Sequence, residues 1–317
     1  MALIYTADEL ITSVRNRAMV PNTGSVATAD SDILQWLNET MKLEMVPFLT
    51  RVQEGYFVVT ELITAAARVR IPKRAIGIKL SELKYRPSGS GAEGDIDLSH
   101  ISREDTQRFN YSSATEPIGF YLEAVDIVLV PEGTAPGGNL VVPYYFRPGD
   151  LVSSTDYRKV TVVAGSIITI DSTVPTSWTA SSKFDVHSQD SGAEIKVWSA
   201  SASTVGGTSI TFSTSIDGST TGTKAVAVDD YICLENNAAV PSLPLELHPM
   251  LAIATAAAIL KSHGDFEGAG VLEGDLNRKM ELASEYLSTR NDGEVKVISG
   301  AGSVWWGGTG YIGRGAW

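Results

Sequence analysis

The stretch Met250-Leu-Ala-Ile-Ala-Thr-Ala-Ala-Ala-Ile-Leu-Lys-Ser-His263 decides how this chain is organised. Its alanines, with Leu251, Ile253, Ile259 and Leu260, combine high helix propensity with a broad apolar surface. Small side chains let another helix approach closely. Pro249 suits a first helical turn, where its missing N–H is not needed, and Gly264 offers a left-handed stop after Lys261 and His263. A second helix is predicted over about Ala269 to Arg290. It sets Leu272, Leu276, Met280, Ala283 and Leu287 on one stripe, with Glu273, Lys279 and Glu285 outside it. Both helices need partners.

The partners are at the other end of the chain. Thr6-Ala-Asp-Glu9 has the spacing of a capping box, and Leu10, Ile11 and Val14 continue it as a short helix. Asp30 or Ser31 can cap a longer helix, whose Ile33, Leu34, Leu37, Met41, Leu43 and Phe48 fall on one stripe with Trp36 beside it. Pro47 is expected to kink or end that helix, so its regular part is placed before Val46. The expected fold is α+β: residues 1–54 and 241–292 form one helical domain built from both ends, with a large antiparallel β insertion between them. The residues expected to pack its helices are Leu34, Leu37, Met41, Ile253, Ile259, Leu272, Leu276 and Met280.

The insertion reads as two parts. Over 55–150, Tyr56–Val59, Ala67–Ile71, Ile76–Leu80, Gly119–Glu123, Asp126–Val130 and Asn139–Phe146 are short strand candidates separated by turn residues. Arg68 and Arg70 share a strand face, followed by Lys73 and Arg74. A solvated basic face is the default reading, with contact to an acidic partner or to DNA as the alternative. Arg86 to Asp95 is a glycine-rich stretch without the Gly-Lys-Ser/Thr ending of a phosphate loop, and is read as a flexible tip. Over 151–240 the chain is rich in Ser and Thr. Lys159–Val163, Ser166–Ile170, Glu194–Trp198, Thr208–Phe212 and Asp230–Leu234 suggest a small barrel or sandwich module. The last part, 293–317, is an extended tail of glycines carrying Trp305, Trp306, Tyr311, Ile312 and Trp317. Such a chain gains by filling pockets on a partner, and these five are the expected docking anchors.

Composition limits the function. With 43% hydrophobic and 20% charged residues, a folded chain is expected rather than a disordered one. A formal net charge of −12 opposes tight general binding to nucleic-acid phosphates, yet suits a surface along which DNA slides without being held. No apolar run spans a bilayer, so no membrane partner is expected. The start of the sequence lacks signal-peptide features, and synthesis and assembly in a cytoplasm are expected. Cys233 is single and reads as a small buried hydrophobe.

Chemistry is hard to find. His100, His187, His248 and His263 are scattered, with His248 read as a helix-entry residue and His263 as a partner of a helix C-terminus. Asp185, His187 and Asp190 lie near one another and are read as solvated turn residues rather than metal ligands. Gly308-Thr-Gly310-Tyr-Ile-Gly313 matches a dinucleotide fingerprint in spacing only, since no βαβ unit carries it. The expectation is a chain that is not an enzyme, with no catalytic, cofactor-binding or metal site.

Four stretches follow one another along the chain: Asp32-Ile-Leu-Gln-Trp-Leu-Asn38, Ile71-Pro-Lys-Arg-Ala75, Tyr144-Tyr-Phe-Arg-Pro148 and Leu243-Pro-Leu-Glu-Leu-His-Pro249 leading to Gly264-Asp265. In this order they resemble the head-to-tail adaptor (connector) proteins of tailed bacteriophages. The resemblance implies a virion protein at the portal vertex or neck, assembled in the host cytoplasm. It implies a homo-oligomeric ring, usually of twelve copies, under the portal protein, with tail or nozzle proteins attached and double-stranded DNA passing through unread. The tail would dock on the portal. The alternative is a β-rich receptor- or carbohydrate-binding module of a phage tail, for which Trp178 and Trp198 are the candidate platforms.

Overall fold

The structure, a computed structural model, describes residues 5–21, 28–80, 82–106, 116–132, 136–189, 194–216 and 224–287. The chain is mixed helix and strand. Helix α1 (Ala7–Ala18) starts at the capping box: the Thr6 N–H donates to Glu9 Oε2 at 2.9 Å, and the Glu9 N–H donates to Thr6 Oγ1 at 3.4 Å. It ends where Met19 turns left-handed at φ 51°.

Helix α2 (Asp30–Thr40) does not stop before Pro47. It passes through a π-helical turn, Met41–Met45, into α3 (Val46–Val52). The Val46 N–H reaches back to the Met41 carbonyl, and Pro47 then falls in the first turn of α3, where its missing N–H is harmless. Leu43 stands two positions from both Met41 and Met45 and so on the opposite side of the helix from them. Met41 and Met45 are buried, whereas Leu43, expected on the stripe, is 74% exposed.

The β insertion begins with β1 (Val58–Thr64), β2 (Arg68–Arg70), β3 (Ala75–Leu80), β4 (Lys84–Arg86), β5 (Ile96–Asp97), β6 (Ser99–His100), β7 (Gly119–Glu123), β8 (Asp126–Val130) and β9 (Asn139–Phe146). They form a sheet in the order β1-β9-β4-β5, with β3 also on β9, and a second sheet in the order β2-β8-β7-β6. In β2 the arginines are exposed and Val69 is buried. The glycine-rich stretch is no loose tip, because Arg86 grips Asp95 with two bonds of 2.6 and 2.9 Å across it.

After β10 (Asp150–Leu151) come β11 (Tyr157–Ala164), β12 (Ile167–Ile170), β13 (Lys183–His187), β14 (Ile195–Gly206), β15 (Ser209–Phe212) and β16 (Tyr231–Leu234), then β17 (Asn237–Ala238). The six middle strands close a barrel in the order β11-β12-β15-β14-β13-β16. It holds its own core, with Val160, Ile168, Phe184, Val186, Ile210 and Ile232 among its buried residues. Its entry and exit run side by side, since β10 pairs in parallel with β17. Gly149 makes this approach possible: a Cβ there would lie 2.9 Å from the Asn236 carbonyl oxygen. Asn38 of α2 clamps the junction, accepting the Leu151 N–H at 2.7 Å and donating to the Leu151 carbonyl at 3.1 Å.

The chain returns to helices α4 (His248–Ser262) and α5 (Phe266–Leu287). Helix α4 is buried along most of its length and touches α1, α2 and α5. Helix α5 starts three residues earlier than the sequence reading put it, because the Asp265 carboxylate accepts the Gly268 N–H at 2.9 Å and so opens the helix. Gly264, at φ +83°, makes the turn between the two. One core unites these helices with the first β region. No helix among the described residues is long and apolar enough to cross a membrane.

His248 ties the two chain ends together. Its Nδ1 accepts the Tyr5 N–H at 3.5 Å, and its Nε2 lies 3.1 Å from the Leu243 carbonyl. Complete burial pushes its pKa down to about 4. The unfolded imidazole, at about 6.5, takes up a proton first, so the stability it provides is complete above that pH and is lost as pH falls towards 4. At about 1.4 kcal/mol per unit the loss approaches ~3 kcal/mol, and burial pushes His187 in the same direction. The urea midpoint should therefore drop steeply between about pH 6.5 and 4, and less steeply in H248Q. A flat midpoint across that window contradicts this reading.

Candidate functional site

The most constrained polar cluster lies where the barrel meets the first β region. Arg74, in the turn before β3, pairs with Asp185 of β13, and their side chains are 11% and 1% exposed. Asp185 also accepts the Ser199 N–H at 2.8 Å and the Asn236 N–H at 2.9 Å. Both donors sit at left-handed residues, φ 49° and 70°, which turn their N–H groups towards the carboxylate. The Arg74 guanidinium lies 4.9 Å over the Trp198 ring, and that ring meets Phe146 edge-on at 5.4 Å. The cluster keys the barrel to the body.

This corrects the reading of Asp185 and His187 as solvated turn residues. Both are on β13 and buried, and Asp190 lies outside the described residues. His187 Nε2 is 2.9 Å from the Asn237 carbonyl, and Cys233 is buried beside it with its thiol pushed up by burial. The alternation of Phe184 and Val186 was the available signal for this strand. Arg74 is likewise no solvated base; its acidic partner is in its own chain. Arg68, on the exposed face, pairs with Glu123 and Asp126. Among the described residues no group of three or more His, Cys, Asp or Glu is placed to hold a metal ion.

The remaining candidates are surfaces. Leu37, Met41, Ile253, Ile259 and Leu276 are buried, and Leu34, Leu272 and Met280 are half-buried against the same core. Helix α5 leaves large apolar groups in solvent: Phe266 at its first position is 71% exposed, and Val271, Leu282 and Tyr286, on another side that also carries Asp275, Arg278 and Lys279, are 70, 49 and 81% exposed. His263 is exposed at the end of α4, and exposed His100 meets Phe120 edge-on at 5.5 Å. Trp178 is buried against Phe184, and Trp198 is half-buried under Arg74. Trp305, Trp306, Tyr311, Ile312 and Trp317 lie outside the described residues.

No known family model matches the chain, and no curated protein matches it significantly.

The junction has a measurable consequence. Removing Arg74 leaves the Asp185 carboxylate buried without a counter-charge, which costs about 3–5 kcal/mol. R74M should lower the denaturation midpoint accordingly, while R74M/D185N, which removes both charges, should recover part of the loss. Equal stability of R74M and the unaltered chain contradicts the key.

Proposed function

We propose that this chain is a structural virion protein of a tailed phage, a head-to-tail adaptor that forms a ring under the portal, continues the DNA channel and offers the tail its attachment surface. The exposed apolar groups of α5 support the reading most. Phe266, Val271, Leu282 and Tyr286 are large apolar groups left to solvent along one helix, and a ring of copies would cover them. The ring would have twelve members if it follows the resemblance stated above. Helices contributed by both chain ends give such a ring a single rigid layer, and the barrel, with a core of its own, is free to meet tail or nozzle proteins. A net charge of −12 suits a channel that lets the duplex pass without gripping its phosphates.

The alternative, a carbohydrate- or receptor-binding module, loses the observation that favoured it. Trp178 is buried and Trp198 is covered by Arg74, so neither offers an open ring face for stacking.

Electron microscopy of purified portal mixed with this protein tests the adaptor reading. Rings stacked coaxially on the portal are expected; no ring or complex at high protein concentration contradicts it. Deletion after Ser299 should leave a folded protein that binds the portal poorly, and unchanged binding rejects the tail as the clamp.

A further inference from the structure

A cavity of about 470 Å³ opens between α3 and the end of β9. Val46, Pro47, Ile76, Tyr145 and Pro148 give it apolar walls. Three cations stand around it: Lys42, Arg51 and Arg147. Lys42 is paired with Asp150, but Arg51 and Arg147 are exposed and make no ion pair among the described residues. Lys42 and Val46, four positions apart, stand on the same side of the helix across the π-helical turn. Unpaired arginines beside an apolar hollow, on a chain that is acidic overall, select an anionic segment with a large apolar side chain at its centre.

The chain carries such a segment in Asp265-Phe266-Glu267. Phe266 is 71% exposed at the first position of α5, with a carboxylate on either side. The backbone of the knob is part of a capped helix start, where the Asp265 carboxylate accepts the Gly268 N–H, so its main chain is already ordered when Phe266 is buried. Glu267 is exposed and makes no ion pair among the described residues. A protomer does not fill its own cavity. Glu44 shares a hollow with Lys261 and Glu273 on the α4–α5 side, whereas Lys42 and Val46 line the cavity on the other side of the same helix.

We propose that Phe266 of one copy seats in this cavity on the next, with Asp265 and Glu267 facing Arg51 and Arg147. With the knob and the cavity of each copy engaging different neighbours, the contact is head-to-tail and repeats into a ring or an open filament; mutual exchange between two copies would instead close as a two-fold dimer. This names a contact within the proposed ring and rests on that reading.

Two variants of the full chain separate the halves of the contact: F266A keeps the cavity without the knob, and R51E/R147E keeps the knob without the cations. All three altered side chains are exposed in the single chain, and far-UV circular dichroism checks that both variants remain folded. Sedimentation velocity over a concentration series should show self-association of the unaltered chain, weakened at least tenfold in each variant alone. An equimolar mixture of the two should form a one-to-one complex that does not grow, since only one knob meets one competent cavity. Self-association of either variant at the unaltered strength overturns the contact, as does a two-fold dimer or an unaltered chain that stays monomeric. Rings of F266A on the portal, scored by electron microscopy, would remove this contact while leaving the adaptor reading standing; absence of rings with the unaltered chain would remove both.

Discussion

Close approach of helices to α4 is the constraint on which the helical body depends. Ala252, Ala254, Ala256 and Ala257 are buried, and their small side chains let α1, α2 and α5 all close on one helix. Interiors packed at crystal-like density have no slack for larger groups at such positions. Leu251, Ile253 and Ile259 then fill the spaces that the alanines leave. Because α1 and α2 precede the β insertion and α4 and α5 follow it, the body exists only once the chain has returned to its start. His248, which meets the backbone of Tyr5 before α1 and of Leu243 before α4, sits at that closure.

The barrel, the second part of the insertion, fits beside this body only if its own ends leave and return at one place. The parallel pair β10–β17 provides that, with Gly149 allowing the strands to meet and Asn38 satisfying both polar groups of Leu151. The Arg74–Asp185 pair then fixes the barrel's orientation from a second side. Its geometry is costly to break and specific to one docking angle, which favours a module held in place over one swinging on a linker.

Much of this was legible in the sequence where local pattern and tertiary demand agree. Strands β7, β8 and β9 begin and end where their alternation and turn residues say they should, and the Thr6–Glu9 spacing marks the start of α1. The misreadings occur where distant contacts decide. Asp185 and Arg74 look like solvent groups because nothing local shows a partner 111 positions away. The helix through Pro47 survives by a π-helical turn, which has no residue signature of its own, and Leu43 was placed on a stripe whose buried members, Met41 and Met45, face the other way. Two-residue strands such as β10 and β17 carry no periodicity at all. Of the docking surfaces, the buried stripes were readable, but the exposed apolar groups of α5 were not, because a stripe shows which residues want burial and not which are left over. Phe266 escaped for a simpler reason: α5 was started after it.

The proposed assembly uses two surfaces of the helical body, the cavity beside α3 and the exposed side of α5, whereas the barrel closes a core of its own and leaves Val162 and Ile167 exposed on its strands. Hydrogen exchange on the dilute and the self-associated chain distinguishes these regions most directly. Protection should rise on assembly in residues 42–51, 145–148 and 265–271 and stay unchanged over the barrel, 157–234. Protection gained in the barrel, with none in the helical body, would contradict an assembly built on the helices.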